Sequence, residues 1–109
     1  MAPGAVGQDN PVLIGRVSKV TDGDTITVQL SSGPISVRFD SIDAPEKNQP
    51  WGEESRGALA GRLDGREVAL GVVTQDRYDR LVATVYLESE NVNSWMIRQG
   101  HAWAYREYL

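Results

Sequence analysis

Apolar and polar residues alternate along two neighbouring stretches of the chain, at residues 26–30 and 35–39. A period of two is typical of strands that bury one face. Residues 31–34 lie between the two stretches and read SSGP, which favours a turn. We therefore predict a β-hairpin here, preceded by a first strand over residues 12–20.

The second half of the chain predicts two helices and two more strands. Leu59 and Leu63 are four residues apart and Gly65 follows them, as expected for the last turns of a helix. The predicted elements are a helix over residues 52–63, strands over 68–72 and 81–87, and a helix over 92–99.

Two glycines, Gly57 and Gly61, lie inside the first predicted helix, where each costs roughly 1 kcal/mol relative to alanine. We interpret them as positions where the helix backbone packs closely against the sheet.

Five short strands interrupted by a helix fit an α+β, mainly β fold: a five-stranded OB-type barrel with two helices. Periodicity alone leaves other small barrels open.

Length and composition indicate one small domain of 109 residues. Residues 1–10 are expected to be a disordered leader or a cloning remnant, and residues 11–109 the domain. The absence of cysteine excludes disulfides and thiolate metal sites. No apolar run approaches the ~20 residues of a membrane span. No signal peptide is visible, so the compartment stays unknown, and a secreted or cell-envelope protein would already have lost it.

Acidic residues gather around the predicted hairpin, with one arginine among them. Asp22 and Asp24 precede it, Asp43 and Glu46 follow it, and Arg38 lies on its second strand. Carboxylate oxygens hold Ca²⁺ or Mg²⁺, and a guanidinium matches phosphate oxygens. The Asp-Gly pair is also a turn signal, so these aspartates alone could simply shape a corner.

Three motifs in order resemble the staphylococcal nuclease family. They are DGDT at residues 22–25 with DAPE at 43–46, DRYDR at 76–80, and NSWMIRQG at 93–100. The resemblance covers roughly residues 13–108 and implies an OB-fold barrel. Family members usually continue into a further C-terminal helix, which is expected to be absent here.

The resemblance implies one bound Ca²⁺. Asp24 and Asp43 would be direct ligands, the backbone carbonyl of Ala44 a third, and Asp22 a supporting carboxylate just outside. Ala44 stands where the commonest form of the motif has threonine. Ligation needs only the carbonyl and should survive.

The resemblance also assigns the catalytic and nucleotide-binding side chains. Glu46 would be the general base, and Arg38 and Arg80 would stabilise the charge on phosphate in the transition state. Nucleotide contacts would come from three residues: Arg77, Tyr78 and Tyr108. His101 is the only histidine, which makes a histidine metal site a poor interpretation, and the three tryptophans are interpreted as structural.

The predicted function is a Ca²⁺-dependent nuclease that cleaves single-stranded or frayed DNA and RNA and leaves 3′-phosphate ends. A net charge of −4 and the lack of a basic stripe predict weak binding to the polymer. We expect a monomer or a weak dimer. A non-catalytic OB-type binding module and a metal-stabilised structural domain remain alternatives. A pure binding module does not need the acids and arginines together.

Overall fold

The computed structural model describes residues 12–105, and both the predicted leader and Tyr108 lie outside this range. These described residues form eight strands and two helices: β1 Val12–Asp22, β2 Thr25–Leu30, β3 Gly33–Phe39, β4 Ile42–Asp43, α1 Gly52–Leu63, β5 Glu67–Gln75, β6 Leu81–Leu87, β7 Glu90–Asn91, α2 Val92–Arg98 and β8 Trp103–Ala104. Within the described range neither helix is long and apolar enough to cross a membrane.

Five strands close into a barrel. The sheet order is β3-β2-β1-β5-β6, and β3 also pairs with β6, which joins the two edges. That closing pair is parallel and places Val37 opposite Leu81, whereas the other barrel pairs are antiparallel. Two register shifts bend β1, so this one strand pairs with both β2 and β5. The predicted OB-type barrel with two helices is confirmed.

The barrel interior is filled by the apolar face of each strand. Ile26, Val28, Val37 and Phe39 are almost completely buried, as their alternation predicts. Helix α1 packs against β1 and buries Leu59 and Leu63 in the core, while α2 adds Val92 and Met96 to the same core.

Gly57 and Gly61 do not pack against the sheet, so that interpretation is wrong. A Cβ atom added at either position would meet nothing within 4 Å. Both glycines lie away from the buried face of α1, which runs through Gly52, Ser55 and the two leucines. They therefore weaken the helix without a packing role.

Buried Asn93 joins α2 to the barrel. Its side-chain oxygen accepts from the Val85 N–H at 3.0 Å, and its amide donates to the carbonyls of Asp40 at 2.9 Å and Ala83 at 3.2 Å. A buried polar side chain is stable when its hydrogen bonds are made in this way. The contacts fix the backbone immediately after β3, next to Arg38.

Candidate active site

The hairpin of β2 and β3 places an aspartate beside an arginine. Thr25 pairs with Arg38 across the hairpin, and the Phe39 N–H donates to the Asp24 carbonyl at 2.8 Å. Parallel pairing of β3 with β6 sets Arg38 opposite Val82, two residues beyond Arg80. The strand pairing therefore brings both predicted catalytic arginines to one corner of the barrel.

Arg38 is held by backbone carbonyls and by two carboxylates. Its Nη1 donates to the carbonyls of Phe39 at 3.0 Å and Ile42 at 2.9 Å, and lies 3.5 Å from Oδ2 of Asp24. Its Nη2 is 3.4 Å from Oδ1 of Asp43, a long contact. The carbonyls fix the guanidinium plane, and the weaker carboxylate contacts can be exchanged for phosphate oxygens.

Asp24 is a buried carboxylate, with only 6% of its surface exposed. It accepts hydrogen bonds at 2.9 Å from the Thr25 hydroxyl and from the Ala44 N–H. Burial raises the pKa of Asp24, and the Arg38 charge and these hydrogen bonds only partly offset that effect. The ionised carboxylate is therefore under-stabilised, so a cation at this position would stabilise it.

Ala44 connects the two aspartates. Its N–H lies 3.1 Å from Oδ1 of Asp43 as well as 2.9 Å from Asp24, so one donor orients both carboxylates. The Ala44 methyl is buried against the turn at Gly23, where an added Cβ would lie 3.0 Å from it. The small side chain at position 44 thus fits tightly against the DGDT turn.

The donor set of this corner suits a hard divalent cation. Asp24 and Asp43 supply carboxylate oxygens, which Ca²⁺ and Mg²⁺ prefer in proteins. Among residues 12–105 no three carboxylate or histidine side chains converge as a complete ligand group. A cation held here would therefore need a backbone carbonyl and water in addition to the two aspartates.

Glu46 lies in an exposed loop whose backbone is held by local hydrogen bonds. The Glu46 N–H donates to the Gln49 side chain, its carbonyl accepts from the Gln49 N–H, and the Gly52 N–H donates to the Gln49 carbonyl, each at 2.8 Å. Asp22 joins this loop, since its carboxylate accepts from the Lys47 N–H at 2.9 Å. Asp22 therefore supports the loop of Glu46.

Gly52 is a site residue that sequence reasoning missed. A Cβ built on it would lie 1.7 Å from the Glu46 carbonyl oxygen, far closer than real atoms approach. Any side chain here would push the backbone of Glu46 out of place. Gln49 was missed as well, because a polar residue in a proline-flanked loop gives no periodic signal.

Arg80 is positioned by Asp76, a third residue that the sequence did not single out. Nε of Arg80 lies 2.8 Å from Oδ2 of Asp76, and Oδ1 of Asp76 accepts from the N–H groups of Arg80 at 3.0 Å and Tyr78 at 2.9 Å. Burial raises the pKa of Asp76, but these hydrogen bonds outweigh it and the net pKa is lowered. An aspartate that opens a turn with such bonds is a recognisable local signal.

One recess of about 490 Å³ collects the predicted metal and catalytic residues. Seven of them line it: Asp22, Asp24, Arg38, Asp43, Ala44, Glu46 and Arg80. Gln49 and Trp103 line it too. A neighbouring pocket of about 350 Å³ shares the two arginines and is lined on its far side by Val73, Val82 and Tyr105.

Two predicted nucleotide-binding residues lie beside this recess and do not line it. Tyr78 is exposed, and the guanidinium groups of Arg77 and Arg80 lie 5.4 and 5.6 Å from the centre of its ring. These distances are typical of cation–π contacts. Tyr78 therefore touches the candidate site through Arg80.

The model of the staphylococcal nuclease homologue family matches residues 36–109 of this sequence. The matched segment contains Arg38, Asp43, Glu46 and Arg80, which the structure places around one recess. The chain belongs to the staphylococcal nuclease homologue family.

Three curated proteins show what this chain is similar to in sequence. Protein ParB of Escherichia coli is 45% identical over 103 residues, covering 86% of this chain and 58% of that protein. An uncharacterized endonuclease of Haemophilus influenzae is 44% identical over 95 residues, 85% of this chain and 53% of that protein. The micrococcal nuclease of Shigella flexneri is 38% identical over 103 residues, 86% and 59% respectively. The chain thus spans a little over half the length of these family relatives.

The tryptophans divide into two groups. Trp95 is partly buried and packs against the core, as a structural role requires. Trp51 and Trp103 are more than half exposed. The Trp51 indole stacks on His101 and donates to its Nδ1 at 3.2 Å, which ties the start of α1 to the segment after α2. A structural role therefore describes Trp51 and Trp95, whereas Trp103 borders the recess.

Proposed function

We propose that this domain is a Ca²⁺-dependent endonuclease that hydrolyses phosphodiester bonds by attack of water. The observation that carries the proposal is the recess itself. It joins a buried, under-stabilised carboxylate with two separately anchored arginines and an exposed glutamate. Family membership and relatives named as nucleases support the same activity.

The cation would be held by the carboxylates of Asp24 and Asp43 and by the backbone carbonyl of Ala44. Once bound, it would supply positive charge to a phosphate oxygen and lower the pKa of a nearby water. Asp22 supports this arrangement from outside, because it holds the backbone next to Glu46.

The protein side chains supply proton transfer and charge stabilisation. Glu46 accepts a proton from the attacking water, whose oxygen forms a bond to phosphorus. Arg38 and Arg80 donate to the phosphate oxygens as negative charge builds there, since each guanidinium is fixed before substrate arrives. The bond from phosphorus to the 5′ oxygen then breaks, and that oxygen takes a proton from solvent water and leaves as a hydroxyl, while Glu46 returns its proton to solvent. The other product keeps a 3′-phosphate.

The substrates in this proposal are single-stranded or frayed DNA and RNA. Arg38 and Arg80 recognise phosphate, a group that both polymers share. With a net charge of −4 the protein has no bulk attraction for a polyanion. Binding would therefore depend on the cation and on local contacts, and would weaken strongly as salt rises.

Digestion of denatured DNA with millimolar Ca²⁺, compared with an EDTA control, tests this function. We expect cleavage with Ca²⁺, none with EDTA, and a loss of roughly 10²–10³-fold in the Glu46→Gln variant at unchanged melting temperature. A folded protein that binds the DNA but leaves it intact under both conditions would be the binding module instead.

A further inference from the structure

Trp103 is an exposed aromatic side chain on the wall of the recess that the proposed mechanism does not use. It lies on β8, which pairs antiparallel with β4 and places Trp103 directly opposite Asp43. The residue is 52% exposed, although Ala102 before it is buried. Since Asp43 contacts Arg38, the indole stands one strand away from the candidate phosphate site.

The other exposed tryptophan shows that this position is unusual. Trp51 is 56% exposed, but its ring is nearly parallel to that of His101 and its N–H donates to His101 Nδ1. It borders neither the recess nor the pocket beside it. Trp51 therefore has an internal partner in His101, while Trp103 borders a recess lined mainly by charged groups.

We propose that Trp103 stacks on one nucleobase next to the phosphate under attack, and so positions the strand. This proposal rests on the proposed function. A nucleobase has two flat faces that pack on an indole whatever its identity. The contact requires a base that is not paired or stacked in a duplex, and it does not involve the sugar 2′ position. Trp103 thereby favours single strands over duplexes and accepts DNA and RNA alike.

Binding at the recess would then have two components. The arginines and the aspartate-held cation recognise the phosphate, and Trp103 recognises the adjacent base. Stacking supplies binding that does not depend on positive charge, which suits a protein that is acidic overall. Removing the indole should therefore weaken binding to oligonucleotides while sparing the hydrolysis of a phosphodiester that has no bases.

The test uses a tetranucleotide in which only the central linkage is a normal phosphodiester and the others are uncharged methylphosphonates. The base on either side of the central linkage is present or replaced by an abasic sugar. Cleavage is measured for the parent, Trp103→Leu, Trp103→Phe and Tyr86→Leu with millimolar Ca²⁺. Tyr86 is an exposed aromatic residue on the outer face of β6 and serves as the matched control.

For the parent, loss of one of the two flanking bases should lower kcat/KM by roughly 5- to 100-fold, mainly through KM. Trp103→Leu should lower kcat/KM on the intact substrate similarly and be indifferent to base removal. Trp103→Phe should keep part of the base dependence, and Tyr86→Leu should match the parent.

Three results overturn the proposal in different ways. A parent equally active with either base removed has no stacking site, even if Trp103→Leu fails to fold. A Trp103→Leu variant that keeps the full base dependence places the stacking elsewhere. A folded parent that cleaves neither the tetranucleotide nor bis(p-nitrophenyl) phosphate with Ca²⁺ removes the proposed function, and this proposal with it.

Discussion

Asp24 and Asp76 both face an arginine of the same recess, yet their pKa values are shifted in opposite directions. Asp24 is buried at the turn between β1 and β2, and loss of water raises its pKa more than Arg38 lowers it. Asp76 lies in the loop before β6, where donors from Tyr78 and Arg80 surround its carboxylate and lower its pKa. The first carboxylate lacks sufficient positive charge, and the second is already satisfied.

The difference in pKa indicates different roles for the two aspartates within one site. A desolvated carboxylate whose paired arginine is 3.5 Å away gains from a bound metal ion. A carboxylate that makes three close hydrogen bonds gains nothing from one, but it fixes the arginine that it holds. We therefore expect Asp24 to matter for metal affinity and Asp76 for the placement of Arg80.

The largest expected effect is on turnover when Arg80 is lost. Arg80→Ala should reduce kcat by roughly 10²–10³-fold, since it removes a preorganised charge from the transition state. Asp76→Asn should cause a smaller loss, because the arginine remains but its anchor is weaker. Single-turnover cleavage of an oligonucleotide at saturating Ca²⁺ measures both. Equal losses in the two variants would mean that Asp76 does more than hold Arg80.

Ca²⁺ affinity should depend on Asp24 and not on Asp76. Asp24→Asn should weaken Ca²⁺ binding by more than about 100-fold, the upper range for losing a group outside the metal's own ligands. Asp76→Asn should bind Ca²⁺ like the parent. Calorimetric titration of each variant without substrate gives the comparison. Comparable weakening in both would contradict the division of roles.

The barrel side of the site follows from patterns that the sequence displays. Alternation over residues 26–30 and 35–39 with a turn between them predicts the hairpin, and the hairpin register sets Arg38 beside Asp24. The approach of Arg80 depends on the parallel closure of β3 with β6, a contact between distant segments. No local pattern predicts that pairing, so Arg80 entered the site only through the family resemblance.

The loop side could not be predicted in the same way. Gln49 and Gly52 act through backbone contacts with Glu46, which leave no periodic trace. The prediction of close packing at Gly57 is wrong, although the sequence carries a signal for its true position. The buried face through Leu59 and Leu63 continues back to Ser55, which leaves Gly57 on the solvent side. Trp103 is placed opposite Asp43 by β8, a two-residue strand that pairs with β4 and is too short to predict.

Two glycines of α1 provide a test of the loop side. Gly52→Ala should lower turnover by roughly 10- to 100-fold, because the Glu46 backbone must move to admit the new methyl group. Gly57→Ala is the matched control in the same helix. It meets open space and should raise stability by about 0.5–1 kcal/mol without changing turnover. Unaltered activity in Gly52→Ala, measured with the melting temperature of each variant, would show that the Glu46 loop tolerates displacement.

The smallest expected effects concern the stability of the metal-free protein as a function of pH. The folded pKa of Asp24 is raised, so stability is lost as pH rises from the unfolded pKa of about 4 towards the folded pKa. In EDTA at pH 7, Asp24→Asn should therefore melt above the parent. The two melting temperatures should converge on acidification and meet at about pH 3, about one unit below the unfolded pKa of about 4, where the carboxyl is largely neutral in both folded and unfolded chains.

Replacing Asp76 should change the melting temperature in the opposite direction in the same series of melts. Its folded pKa is lowered, so its contribution is complete above the unfolded value of about 4 and is lost as pH falls through the folded value. Asp76→Asn should melt below the parent at pH 7, and this gap should persist to about pH 4 and close only in stronger acid. Thermal melts of the three proteins in EDTA across pH 3–7 decide the matter. Two gaps of the same sign would mean that hydrogen bonding and burial do not distinguish these carboxylates as the structure indicates. The assignment of metal affinity to Asp24 rather than Asp76 would then lose its physical basis.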